Sequence, residues 1–164
     1  MKPMANVEEA APGPGHSAPA WPREWRQALT LWTVFALATS LAMAPTLITM
    51  ATVWWNSATF NHGLLIPFII GWLVWDRRQQ VSMVRPGLYP PGLVLMAGAA
   101  LLWLLGRVGD VQTVQQFAWV VMIQASVLAL LGVAVARALL FPLGYMFFLV
   151  PVGEFLIPPL QHFT

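Results

Sequence analysis

The sequence predicts an all-α membrane protein: a bundle of about five transmembrane helices with a cytoplasmic N-terminus and no soluble catalytic domain. Two observations carry this prediction. Of the 164 residues, 59% are hydrophobic and only 9% are charged, against about 25% charged in an ordinary soluble domain. Between Gln27 and Trp75 no residue is charged. This run is more than twice the roughly 20 residues that one crossing needs, so it is expected to cross twice.

The chain divides into a tail, residues 1–22, and a bundle, residues 23–164. Proline and glycine dominate the tail, and such a composition buries too little apolar surface to fold, so it is predicted to be disordered in the cytoplasm. A polar stretch, residues 56–63, divides the first long apolar run. The apolar runs predict five helices, at about 28–53, 60–75, 87–106, 112–136 and 138–153.

The distribution of basic residues predicts the orientation. Lysine and arginine are retained in short cytoplasmic loops, and seven of the eight basic residues lie on the cytoplasmic side if the N-terminus is inside. Only Arg107 lies on the outer side. Six tryptophans at predicted helix ends are typical of the membrane interface: Trp21, Trp25, Trp54, Trp55, Trp72 and Trp75.

Residues 23–44 allow a second interpretation, as a signal peptide. Arg23 and Arg26 precede an apolar stretch that ends in Ala42-Met43-Ala44, an A-x-A pattern. Pro45 follows directly and disfavours cleavage, so we favour an uncleaved membrane helix. The downstream orientation is the same in either case.

Composition argues against several kinds of site. The chain has no cysteine, which excludes disulfides, cysteine-ligated metals and a cysteine nucleophile within these residues. Its histidines, His16, His62 and His162, are far apart and form no metal-binding motif. We therefore predict no metal and no cofactor. The net charge of only +2, with scattered basic residues, argues against nucleic-acid binding. The oligomeric state cannot be predicted.

The polar residues of the predicted outer side have two interpretations each. His62 begins the second helix beside Gly63, either as a helix-entry histidine bonded to water or a carbonyl, which we favour, or as a site residue. The glutamines either form helix-to-helix hydrogen bonds, which we favour, or have a functional role: Gln112, Gln115, Gln116 and Gln124. Glu154 lies in an apolar stretch and needs a partner; Arg107 is one candidate, and Asp110 competes for Arg107.

Two segments resemble the exosortase family, of the exosortase A-like type. TFNHGLLIPFIIGWLVWDRR, residues 59–78, is similar to its second-helix signature, with a His-Gly pair before an apolar, proline-bearing helix. FPLGYMFFLVPVGEFLIPPLQHFT, residues 141–164, is similar to a later pattern that includes Leu160-Gln161. The resemblance implies a sorting enzyme of the bacterial inner membrane for proteins with a C-terminal Pro-Glu-Pro signal, associated with exopolysaccharide export.

In that family a cysteine attacks the substrate peptide bond, assisted by an arginine and a histidine. The resemblance implies that these three residues lie beyond Thr164, so we expect the chain to be the N-terminal part of an exosortase, inactive alone. The outer-face residues would then form a periplasmic substrate rim: His62, Gly63, Arg107, Glu154 and Gln161. By charge, Arg107 is expected to attract the acidic signal residue, and Glu154 is expected to be a structural partner.

Two other functions remain open. A non-enzymatic membrane module for docking or exopolysaccharide export would use the same helices without the nucleophile. A small transporter is suggested by the broken, proline-bearing helices, although the sequence has no internal repeat. In all three cases the expected partner is membrane lipid, and the sorting signal is a partner for the first.

Overall fold

A computed structural model describes residues 22–152, and every regular element in that range is helical. The all-α prediction is therefore confirmed. The predicted tail, except for Pro22, and the candidate residues Glu154 and Gln161 lie outside the described residues. The α-helices are α1 (Arg23–Ala42), α2 (Ala44–Asn56), α3 (Ile66–Asp76), α4 (Arg78–Ser82), α5 (Pro91–Val108), α6 (Gln112–Ser126), α7 (Val133–Ala138) and α8 (Leu140–Tyr145).

Three shorter helical segments complete the description. A 3-10 turn, Asn61–Leu64, precedes α3, and another, Met146–Leu149, follows α8. A π-helical segment, Val127–Leu131, continues α6. Pro142 lies inside α8 and is buried, and the chain becomes extended at Val150 after the second 3-10 turn. The structure thus has two short helical pieces where the sequence predicts one helix at about 138–153.

The first predicted helix, about 28–53, is two helices in the structure. α1 and α2 meet at Met43 and are bent by 78°. Pro45, the second residue of α2, has no backbone N–H, and its ring would collide with the carbonyl of Leu41 in a continuous helix. Hydrophobicity runs unbroken across this point, so the apolar pattern alone misses the bend.

The predicted helix at about 60–75 also begins differently. Residues 61–64 form the 3-10 turn, and the α-helix starts only at Ile66, with Pro67 in its first turn. A proline is accommodated there because the first N–H groups of a helix have no partner within it. α3 is apolar but has only 11 residues, about 16 Å at 1.5 Å per residue.

The predicted helix at about 112–136 ends early, at Gly132. The backbone of Gly132 is left-handed, with φ of 94°, and a Cβ there would collide with the carbonyl oxygen of Gly87. The carbonyls freed near this break accept hydrogen bonds from a neighbouring extended segment. Gly87 N donates to Leu131 O at 3.1 Å and Tyr89 N donates to Ala129 O at 2.9 Å.

Within residues 22–152, two helices are long and apolar enough to cross a membrane, Pro91–Val108 and Gln112–Leu131, and the bent pair α1–α2 makes a third if it counts as one span. The count of five spans and the cytoplasmic N-terminus therefore stay predictions. Only 17% of the α5 stretch is buried, against 61% of the Gln112–Leu131 stretch. Gln112–Leu131 is thus the central helix, and α5 presents most of its surface to the surroundings.

The central helix contributes to three apolar clusters. Val120 and Ile123 pack with Met50, Ile66 and Leu149. The π-helical segment packs with α1, α4 and α7 through Trp25, Val81 and Val135, and Met122 packs with Met43 and Ala99. The first cluster joins the start of α3 to the end of the described chain. It is this packing that positions the candidate site.

Candidate functional site

The His-Gly pair lies in the 3-10 turn between α2 and α3. Asn61 fixes the start of this turn: with its amide nitrogen facing two carbonyls, it donates to Trp54 O and Ser57 O, each at 2.7 Å. This orientation of the amide is assigned from the hydrogen-bond network. Trp54 lies in the last turn of α2, where helix carbonyls lack partners within the helix, and Ser57 is the residue directly after α2. Asn61 therefore ends α2 and sets the direction in which the turn leaves it.

His62 is exposed, and its Nδ1 lies 3.1 Å from Thr59 O. In the neutral tautomer with the proton on Nδ1, that nitrogen donates to the carbonyl, and Nε2 is an unprotonated acceptor. The ring centroid of Phe60 lies 6.3 Å from that of the imidazole. The sequence interpretation of a helix-entry histidine bonded to a carbonyl agrees with this contact. The same contact leaves Nε2 available to a ligand.

Gly63 is buried against the indole of Trp54. A Cβ at Gly63 would collide with the Trp54 ring, with Nε1 at 2.5 Å and Cγ at 2.6 Å. Any larger residue would therefore displace either the turn or the indole. The group that approaches this glycine is thus a side chain from the preceding helix.

The indole N–H of Trp54 donates to Leu149 O at 3.0 Å. Leu149 is the last residue of the second 3-10 turn and is 5% exposed. The chain becomes extended at Val150, directly after it. Through Trp54, the turn that carries His62 is thus bonded to the chain directly before Pro151, and the two segments that carry the family resemblance meet here.

Arg107 has different neighbours from His62 and Gly63. Its guanidinium carbon is 5.6 Å from the centre of the Trp103 ring, within the range of a cation–π contact. The Trp103 indole donates to Thr46 Oγ1 at 3.0 Å, and Thr46 is in the first turn of α2, whereas His62 follows the last turn. α2 has 13 residues, about 20 Å at 1.5 Å per residue. The structure therefore does not bring Arg107 next to His62.

A buried polar chain joins α2, α5 and α6 near Arg107. Thr46 Oγ1 donates to Gln115 Oε1 at 3.3 Å, and Gln115 Nε2 donates to Gly106 O at 3.2 Å. Gln124, deeper in the bundle, donates to Leu143 O at 2.8 Å. The predicted helix-to-helix role is thus observed for both glutamines. Asp110 has a left-handed backbone, φ of 52°, and its N–H donates to Arg107 O at 3.3 Å.

The hydrogen bonds that the tryptophan indoles donate between elements were not predicted from the sequence. Five of them donate across elements: Trp54 and Trp103 as above, Trp25 to Val84 O, Trp32 to Ser126 Oγ and Trp119 to Ser40 Oγ. Trp25, predicted at the membrane interface, is 2% exposed. The residue type alone could have predicted these bonds, because an indole N–H in apolar surroundings needs an acceptor. Within residues 22–152, no group of three or more histidines, cysteines or carboxylates could hold a metal ion.

Comparison with protein families identifies the family of this chain. A family model described as transmembrane exosortase matches residues 54–164, about two thirds of the chain. The chain belongs to the exosortase family. Exosortases are a family of membrane proteases and transpeptidases. Comparisons with curated proteins and with solved structures find no match.

The exosortase match begins at Trp54, the residue that contacts both Gly63 and Leu149. All of the candidate rim residues, described or not, lie within the matched range. α1 and most of α2 precede it. Within the described residues, the family segment thus forms around the central helix, with α1 and α2 packed against it through Trp32 and Thr46.

Proposed function

We propose that this exosortase chain forms the substrate-docking part of a membrane cysteine transpeptidase. The enzyme would act in the bacterial inner membrane, with its site facing the periplasm. Its substrates would be proteins with a C-terminal Pro-Glu-Pro signal, and its activity would be linked to exopolysaccharide export. The observation that carries the proposal is the Trp54 contact to Gly63 and Leu149. It supports a single outer surface built from both family segments, with the Nε2 of His62 exposed beside it.

The proposed reaction needs a thiolate, and residues 1–164 contain no cysteine. The nucleophile, with its arginine and histidine, would therefore come from outside this range. The thiolate would attack the carbonyl of the scissile bond to form a thioester, and the amine would leave with a proton. A second amine would then displace the thiolate and complete the transfer. The described residues would bind and orient the signal.

Two parts of the docking surface would contact different parts of the substrate. The Arg107 guanidinium would face the acidic residue of the signal, and His62 would accept a hydrogen bond from the backbone of another part of it. Glu154 and Gln161 remain proposed members of this rim, with Glu154 in a structural role.

A non-enzymatic docking module is the second candidate, and it would use the same helices without a nucleophile. Both candidates need the signal to bind near His62, and they differ in the fate of the substrate. A photo-crosslinking amino acid at position 62 is expected to capture a co-expressed protein with a Pro-Glu-Pro signal. The same amino acid at Ile48, which is on α2 and 63% exposed, is the matched control.

The outcomes separate the hypotheses. Capture at position 62 but not at position 48, lost when the signal is deleted, supports docking. Equal capture at both positions, or capture that does not need the signal, contradicts it. Processing of the substrate in cells that carry only residues 1–164 would contradict the proposal that the nucleophile lies elsewhere. Processing that requires a longer protein with a cysteine favours the enzyme over the module.

A further inference from the structure

A cavity of about 460 Å³ beside α8 combines two arginines with an apolar surface. Arg77, at the end of α3, and Arg137, in the last turn of α7, line it together with Leu140, Phe141, Tyr145 and Phe148. We propose that this cavity binds an anionic phospholipid of the surrounding membrane. The phosphate would lie between the two arginines, and an acyl chain would lie along α8.

The charges of the cavity favour an anion. Within residues 22–152, no carboxylate lines it and no ion pair joins either arginine to an acidic side chain. Arg77 Nη1 donates to Gln80 Oε1 at 3.3 Å, which leaves most of its donors free. Guanidinium groups match phosphate oxygens with paired hydrogen bonds. Because the two arginines come from different helices, a phosphate between them would also hold α3 and α7 together.

The apolar part of the cavity suits an acyl chain. Phe141, Tyr145 and Phe148 form a continuous strip, with ring centroids 6.3 Å apart for the first pair and 5.2 Å apart for the second. Phe141 and Phe148 are 60% and 63% exposed. Gly144 lies beside this strip, and a Cβ built on it meets no other atom within 4 Å. The surface is therefore an open groove of the kind that an extended hydrocarbon chain covers.

A second groove, of about 400 Å³, adjoins the first along α8. It shares Arg137, Leu140 and Gly144 with the first and is otherwise lined mainly by apolar residues, among them Leu95 and Phe147. The two acyl chains of one phospholipid would thus occupy the two adjoining grooves, with the head group at Arg137. A free phosphate would leave both apolar grooves uncovered, and the basic tail of a sorting signal would be repelled by the arginines.

The test uses the purified whole chain, residues 1–164, and measures lipid affinity by native mass spectrometry with phosphatidylglycerol or phosphatidylcholine. The wild type is expected to retain phosphatidylglycerol preferentially. Arg77→Gln with Arg137→Gln is expected to weaken that affinity at least about tenfold. The matched control is Arg78→Gln with Arg85→Gln, which removes the same charge from two arginines that line neither groove. It is expected to keep wild-type affinity.

Gly144→Leu provides an independent arm without a change of charge. A Cβ at Gly144 meets no neighbouring atom within 4 Å, and the leucine side chain would project from a residue that lines both grooves. Binding of phosphatidylglycerol is expected to weaken about tenfold. Helical content by circular dichroism checks each variant. Three results would overturn the proposal: equal affinity for the two lipids, unchanged affinity in both the arginine pair and Gly144→Leu, or full displacement of phosphatidylglycerol by inorganic phosphate.

Discussion

The indole nitrogen of Trp54 and the carbonyl oxygen of Leu149 are 3.0 Å apart, although 95 positions separate these residues in the chain. Trp54→Phe keeps an aromatic ring but removes the donor, and leaves the buried carbonyl without this partner. We expect the free energy of unfolding to fall by about 0.5–2 kcal/mol, measured by denaturant titration in detergent micelles. Trp55→Phe is the control, because Trp55 is 75% exposed. Equal losses in both variants would contradict a specific role for the hydrogen bond.

Gly63→Ala is expected to destabilise the protein by about 1–3 kcal/mol, because the new methyl group collides with the Trp54 indole. Gly71→Ala is a matched control in α3, since a Cβ there meets nothing within 4 Å. A helix-interior alanine is favoured over glycine, so the control is expected to be neutral or slightly stabilising. Thermal unfolding in detergent measures both. A Gly63→Ala protein as stable as wild type would show that the indole moves without cost.

Thr46→Val tests the buried polar chain near Arg107. The substitution preserves shape but removes the hydroxyl, so the Trp103 indole loses an acceptor and Gln115 loses a donor. Thr46 is 2% exposed, and we expect a loss of about 1–3 kcal/mol in the free energy of unfolding. Thr52→Val is the control: Thr52 is exposed and donates to Ile48 O in its own helix. An equal effect in the control would assign the loss to helix propensity.

The predicted orientation can be tested with single cysteines, because the chain has none of its own. Ala58→Cys, in the exposed loop after α2, is expected to react with a membrane-impermeant maleimide in intact spheroplasts. Gln79→Cys, exposed in α4, is expected to react only after the membrane is opened. The reverse pattern would mean that the N-terminus is outside. Labelling of both from one side would mean that α3 does not separate the two faces.

The positions where helices break were not predicted from the sequence. Mean hydropathy predicts a continuous helix across residues 28–53, yet Pro45 divides it with a bend of 78°. The proline was visible in the sequence, but its effect depends on whether neighbouring packing holds a kinked helix or two separate ones. Here Thr46, one residue later, is bonded to Gln115 and Trp103, which fixes the direction of α2 across the bundle.

The candidate site was also predicted only in part from the sequence. His62 and Gly63 were found from a local motif, and the structure gives each a defined partner, Thr59 O and the Trp54 indole. Arg107 was grouped with them because it lies on the same predicted membrane face. A shared face does not fix a lateral distance, and α2 holds the two positions apart.

The sequence by itself determined the class of the protein and its family. Long uncharged stretches require a bilayer, and the two motif segments are local enough to be recognised without a fold. Only the tertiary structure decided which polar groups pair: Trp54 with Leu149, Gln115 with Thr46 and Gly106, and Gln124 with Leu143. The reason is physical. An indole or amide in apolar surroundings must find a partner, and which partner it meets depends on where distant helices break and how they pack.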